Sequence, residues 1–471
     1  KTMAAIITEH FRQHNAEQFH ESFSEAAATT YYLFIGKSSP FTTTTSGGDD
    51  SSPPVPVDDV TTEHYKWDSM LAAKLISSSD VSFALPRRNW ANSTTYDMYE
   101  HDISSSNTTT SSATNLYAST FYFMTSAYRV YKVLDNNGGV AYSGSEPTSE
   151  TSTPFELGGY RLQYMYKITT SEVTKFLTSD FMPVSTDTSV SGDAVDGALD
   201  VVRTVAGSGY TNGTYYSPVD GDGANGIVKI IVSGGAIVKQ GSAGTNMYTV
   251  GTGYRFANVD LTNVYSNTAL STAANIGSGT GGSVQPIISP KGGHGKDAVH
   301  ELGGHFVITN VKLEQNEGAD FTVSNDFREV GLVKNPFNFG TTTVATASTA
   351  RQTSKITLSG APSTAYQIDE KITQSVTGAV GKVVEFDSTN NIIYYQQEKY
   401  ANYGLHANGN LVAFSGTNVI TGATSTGVAT AATYATPELQ PDSGKVIYVE
   451  NRRPISRASD QTEDIKIVVE F

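Results

Sequence analysis

Hydrophobic and polar positions along this chain alternate more often than they recur at helical spacing. Tyr160, Leu162, Tyr164 and Tyr166 stand at period two, as do Ile465, Ile467, Val469 and Phe471, so each set lines one face of a strand. Tyr31 to Ile35, Val330 to Val333, Val446 to Val449, and the set Phe306, Ile308, Val311 and Leu313 read as further strands. Phe121 to Leu134 reads as one more, and the turn signal Asn136-Asn137-Gly138-Gly139 behind it predicts a hairpin closing there. Helical spacing is confined to short pieces. Residues 1–40 read strand, helix, strand, with Ile7, Phe11, Phe19 and Phe23 on one i+4 line and Asn15 its polar member. Trp67, Leu71 and Leu75 predict a helix from about Thr62 to Ile76, capped by Asp58, Thr61 or Thr62. Thr169-x-x-Glu172 is a capping box for a short helix ending near Leu177.

Residues 41–59, 104–115 and 185–197 are loops by composition, and Pro53 to Pro56 runs extended. The composition turns Gly-rich near residue 200. There VAGSGYTNGTYY (205–216) is echoed by VGTGYRFANVDL (250–261), each with a Gly-x-Gly-Tyr turn. Between them IVKIIV, Ser233-Gly234-Gly235 and AIVK read as a hairpin. A second shift, to Thr, Ala and Gly, covers 341–436 and holds the strands KITLSG, KVVEFD and NIIYYQQ. The expected architecture is mainly β: a β-sandwich core with a few short helices and two inserted small β-modules. The core takes 1–200, 291–340 and the closing strands 437–471; the modules are 201–290 and 341–436.

Composition supports this class. Ser, Thr and Gly are abundant, tyrosines number 26, and charged residues are only 16%, a loop-rich β composition. The net charge is 31 − 46 = −15, which repels phosphate backbones and suits basic protein partners. The absence of cysteine excludes disulfides and cysteine-ligated zinc. No apolar run approaches the roughly 18 residues of a membrane span, and no basic–apolar leader opens the sequence as given. The Asn-x-Ser/Thr triplets at Asn92, Asn107 and Asn212 are expected by chance in so Ser/Thr-rich a chain.

Three stretches carry a resemblance. YVENRRPISRASDQTED near the C-terminus is the most specific; FALPRRNW (Phe83 to Trp90) and SNDFREVGLVKNPF (Ser324 to Phe337) accompany it. AAIITEHFRQHNAEQF, YYLFIGKSSPF and GGYRLQYMYKI extend it. Together they resemble the gene 8 product of T-even-type contractile-tailed phages, a baseplate wedge family. The resemblance covers about the first 185 residues, then about 290–340 and about 436–471, and the two modules depart from it. It implies a non-enzymatic structural protein of the virion, assembled in the host cytoplasm. It also implies a homodimer that joins other wedge proteins in the baseplate that triggers sheath contraction. The alternative class is a host-recognition adhesin or tail-fibre component that binds surface glycans through the modules; a virion hydrolase has least support.

The double arginines read two ways. Arg87 and Arg88, with Trp90, and Arg452 and Arg453, with Asp460, are either salt-bridged connectors or interface anchors, because a guanidinium fork pairs bidentately with carboxylates. Arg87 and Arg88 pair with the C-terminal acids inside the chain, or Arg452 and Arg453 face another subunit. Pro454, with no N–H to give, keeps the connector between the last two strands out of a central ladder.

Other constellations fail on spacing, so no catalytic, cofactor or metal residues are assigned. HGKDAVHELGGHF (294–306) places His300 and His305 five apart, about 140° around a helix, and two glycines disfavour that helix. The expectation is a Gly-rich turn and a short helix feeding the strand at Phe306, with His294 or His300 a buried, hydrogen-bonded histidine at an interface as the other reading. GGHGKD puts Asp297 where a phosphate loop needs Ser or Thr. DGDGANG (220–226) lacks the third calcium ligand and the closing Glu. No Gly-x-Ser-x-Gly elbow is present.

Overall fold

The computed structural model describes residues 6–25, 29–42, 47–241, 243–399, 403–405 and 409–471. The chain divides into two compact units: Lys1–Gln18, Ser82–Ile308 and Val468–Phe471 form the first, Phe19–Val81 and Thr309–Ile467 the second. The fold is mainly β with short helices.

In the first unit a four-stranded sheet runs in the order Tyr122–Met124, Arg129–Asp135, Tyr160–Lys167, Phe155–Leu157. Facing it, Val81–Pro86 pairs with Phe181–Pro183. Leu85 and Met182 from this layer share a core with Phe121, Tyr122, Tyr131, Tyr160 and Tyr166, so the two layers make a sandwich. Tyrosine suits this core because a hydroxyl can reach a carbonyl across the gap: Tyr122 donates to Pro86 O at 2.9 Å and Tyr166 to Pro183 O at 3.2 Å. The capping box forms as expected, with Thr169 and Glu172 satisfying each other's backbone at the head of Thr170–Phe176.

Residues 201–287 of this unit build further sheets around Val228, Ile230, Tyr254 and their neighbours. Ile227–Ser233 folds back on Ala236–Ile237 through Gly234 and Gly235, both at positive φ, the turn chemistry a two-residue hairpin needs.

The second unit holds a five-stranded sheet, in the order Thr349–Arg351, Met70–Leu75, Tyr31–Gly36, Asp326–Lys334, Lys445–Ser456. Trp67 packs onto it with Tyr32, Phe34, Met70 and Val333. Six strands between Ser354 and Ala435 close a barrel around Ile356, Ile372, Val383, Ile393 and Ile420.

Several local expectations are corrected. Residues 1–5 lie outside the described residues, and 6–8 are not strand. The first helix is Glu9–Glu21, but its buried members are Gln13 and Ala16, while Ile7 and Phe11 are exposed. Gln13 turns inward because its amide donates to His300 O at 3.1 Å. The second helix is Val60–Ser69, capped by Asp59. MLAAKL, good helix formers, is the strand Met70–Leu75. A ladder on each side of it overrides propensity. Phe121–Leu134 breaks into two strands at Thr125–Tyr128, where Tyr128 sits at φ 61°. The hairpin closes there; Asn136–Gly139 turns the chain into a loop instead. Within 185–197, Asp187 caps a helix at Thr188–Asp193. The last strand forms at Thr462–Glu470; Ile467 is buried, yet Val468 on the opposite face also packs, against the cluster of Ala84, Phe176 and Ile308.

Within the second unit, Glu385 on the barrel strand Val380–Asp387 accepts from Val323 N at 3.0 Å. Burial raises its carboxyl from an ordinary 4.5 to about 7. A raised carboxyl pKa contributes stability that is fully present below the ordinary value and is lost as pH rises through about 7. Glu385→Gln keeps an acceptor and removes this titration. The variant is expected to gain on wild type by about 1–2 kcal/mol, discounted for partial exposure, between about pH 5 and pH 8. Urea unfolding at a series of pH values reads this directly, and a pH-independent difference would show a solvated carboxylate.

Candidate functional site

The segment around Arg452 is not a connector. The strand predicted at Val446–Val449 continues to Ser456, through Pro454. It can do so because it ends the sheet order, and an edge strand can present a residue without an N–H to its outer side. Its register explains the double arginine. Glu329 faces Asn451 and Phe327 faces Ile455, so Arg452, Arg453 and Pro454 stand opposite Arg328 alone. The three residues form a bulge, and all are exposed.

Beneath the bulge Arg328 is buried and grips Asp50 bidentately, at 2.8 and 2.9 Å. That hydrogen bond holds the Asp50 carboxyl below its ordinary range. The grip anchors the loop against which the bulge rests: Arg453 donates to Ser51 O at 3.1 Å and Asn451 to Pro54 O at 2.8 Å. Arg452 pairs with Glu450 at 3.0 Å, both partners solvated, an interaction worth about 0–1 kcal/mol. Asp460 is exposed in the turn that follows. Arg457 does the structural work of the stretch. It is buried, binds Glu463 and Thr322 O, and lies over the Phe321 ring.

The other double arginine is placed differently. Arg87 donates to Thr178 O at 2.7 Å and to Asn89, and Arg88 donates to Tyr117 O at 3.1 Å. Arg88 also lies 4.3 Å over the Tyr122 ring, and burial lowers its pKa. Both therefore take partners from their own unit, in place of the C-terminal acids offered as one reading. Trp90 is half-buried against Tyr142 and the sandwich core, and its Nε1 is enclosed without a hydrogen-bond partner.

The His294–Phe306 stretch is a Gly-rich turn leading to a five-residue helix, Ala298–Leu302, capped by Asp297 and ended by Gly303 at φ 85°. His300 pairs with Asp297 at 2.7 Å, whereas His305 lies nearest Glu9, at 3.6 Å. His294 is buried. Its Nδ1 lies 2.9 Å from the Lys132 ammonium, which also donates to Glu301 at 2.7 Å and stands 4.2 Å over the Tyr99 ring. Burial, with Lys132 and Arg161 nearby, drives the His294 pKa well down, so the ring is neutral and Nδ1 accepts. Burial also lowers the pKa of Lys132. Lys132 was not singled out from sequence, where its strand reads as alternating; both faces of Arg129–Asp135 are in fact buried.

The remaining motifs are spent on structure. In GGHGKD, Gly292 N donates to Asp196 and Gly295 N to Glu301, so amides that would cradle phosphate hold carboxylates. In DGDGANG, Asp222 accepts from Arg255 N and Phe256 N, and the glycines clear the Tyr254 ring. Among the described residues no group of three or more His, Asp or Glu is disposed to hold a metal ion, and no helix is long and apolar enough to cross a membrane.

The exposed bulge and the strand that carries it lie where the chain matches a known family. Residues 5–141 and 391–471 match the family described as Bacteriophage T4, Gp8. Together these two stretches make up just under half of the chain, and over them the chain is similar to this family. The family is one of baseplate structural proteins, components of the virion tail. The matched residues differ from those expected. They take in barrel strands Ile392–Gln396, Val419–Gly422 and Val428–Ala435, which the sequence reading placed outside the family pattern, and they omit 142–185 and 290–340. No individual curated protein matches the chain.

Proposed function

We propose that this chain is a non-enzymatic wedge subunit of a contractile-tailed phage, assembled in the host cytoplasm. In this reading it is a homodimer joined to other wedge proteins, and residues 201–290 and 341–436 are modules set into a core of 1–200, 291–340 and 437–471. The observation that carries the reading is the bulge at Arg452–Pro454. It is an exposed, cationic feature on an acidic chain, inside the family-matched residues and braced from below by Arg328. Arg452, Arg453 and Asp460 are its contact residues. Arg87, Arg88 and Trp90 shape the first unit's own surface. Solvated ion pairs exchange partners at low cost, which suits contacts that shift when the baseplate changes state and the sheath contracts.

Arg452→Glu with Arg453→Glu tests this. Both positions are exposed, so stability is expected to hold within about 0.5 kcal/mol, while association with purified wedge proteins weakens at least about tenfold. Association at wild-type strength would remove the bulge from the interface. Light scattering on the wild-type chain is expected to give twice the chain mass; a stable trimer would sink the dimer.

A further inference from the structure

The strand Lys445–Ser456 ends its sheet, and residues 51–63 run antiparallel along its outer side without forming a ladder. They are tied to it by side chains at three points: Ser51 O to Arg453, Pro54 O to Asn451, and Glu63 to Val446 N at 3.3 Å. Pro53, Pro54 and Pro56 have no N–H to donate, so this segment cannot complete the sheet. Toward the Val446 end the two part around a slot of about 660 Å³, bounded by residues 56–66 and 446–449. Val57, Val60 and Ile447 at the slot are 62%, 73% and 44% exposed. Asp58, Asp59 and Glu63 also line it, and the one lysine among its lining residues, Lys66, is neutralised by buried Glu329.

A strand edge left without a ladder partner is a template for another chain, and clustered exposed valines mark a contact surface. We propose that the slot takes an extended segment of another baseplate protein as an added strand, one that alternates apolar side chains with Lys or Arg. The apolar side chains meet Val57, Val60 and Ile447, and the cations meet the three carboxylates. A second copy of this chain would bring the same acidic rim and a net charge of −15, so the occupant is a different, basic segment. The identity of the partner rests on the wedge-subunit reading; the chemistry of the slot does not.

The test uses the full chain and a panel of blocked eight-residue peptides in which Lys alternates with Val, Ile, Leu or Phe, against counterparts carrying Glu. The Lys peptides are expected to bind and to slow amide exchange across 446–449, and the Glu peptides are not. Asp58→Lys with Ile447→Lys, both at exposed positions, is expected to weaken Lys-peptide binding at least tenfold and to impair wedge assembly. No binding, or equal binding by the variant, overturns the slot. Self-association lost in the same variant overturns the choice of occupant in favour of a second copy. Peptide binding lost while wedge assembly persists overturns the baseplate partner and leaves the wedge-subunit reading intact. A wild-type chain that enters no wedge sinks that reading, and the peptide result then judges the slot alone.

Discussion

Lys132→Met is expected to destabilise the first unit by about 3–5 kcal/mol. Lys132 and Glu301 are 0% and 4% exposed, and the lysine supplies Glu301 with a charge partner at 2.7 Å. Without it the carboxylate keeps only two backbone donors, Gly295 N and Asp297 N, and His294 Nδ1 loses its donor as well. Methionine fills a similar volume, so the loss is electrostatic and not a cavity. The double variant Lys132→Met with Glu301→Gln removes the charge that is left behind and is expected to recover much of the loss, because a buried pair costs its desolvation before it contributes anything. Each unit contains one of the two tryptophans, Trp90 in the first and Trp67 in the second. Urea unfolding followed by fluorescence in a Trp67→Phe background therefore reads the first unit. If single and double variants unfold together, Glu301 is not held as an ion.

The sequence was legible wherever a local rule decided the outcome. The capping box at Thr169–Glu172, the Gly234-Gly235 hairpin and the alternation at Tyr160–Tyr166 all depend on neighbours in the chain. It misled where distant residues decided. MLAAKL became a strand because Tyr31–Gly36 and Thr349–Arg351 flank it. The barrel strands Lys371–Gln374, Val419–Gly422 and Val428–Ala435 were missed because their Thr, Ala and Gly residues carry little apolar signal until the barrel closes. At the candidate site the arginines were visible, but their bulge was not. Pro454 suggested a break, and only the sheet order shows that the strand lies at an edge, where proline is tolerated. Lys132 was hidden because a lysine in an alternating run reads as solvent-facing, and its partners lie more than 160 residues away.

Gly251→Ala is expected to cost about 3 kcal/mol or more, and Gly253→Ala only about 1 kcal/mol. The two glycines of the repeated Gly-x-Gly-Tyr turn share a backbone conformation in both copies. Gly207 and Gly209 sit at φ 60° and 79°, Gly251 and Gly253 at 62° and 78°. The tyrosines behave alike too, each hydroxyl accepting a glycine N–H at 3.1 Å: Gly282 N for Tyr210 and Gly226 N for Tyr254. An L-residue in this left-handed region loses roughly 1–2 kcal/mol at either position. Space separates the two. A Cβ on Gly251 would stand 2.7 Å from Ala224 O, and one on Gly207 2.4 Å from Gly282 N, both immovable backbone atoms. On Gly253 and Gly209 the nearest atoms are 4.0 and 3.5 Å away. The first glycine of each turn is therefore fixed by close approach as well as by φ, and the second by φ alone. Calorimetry on the four single alanine variants should sort them into a costly pair, 207 and 251, and a mild pair, 209 and 253. Equal losses within a turn would show that the tight approach relaxes freely and that φ alone fixes both glycines.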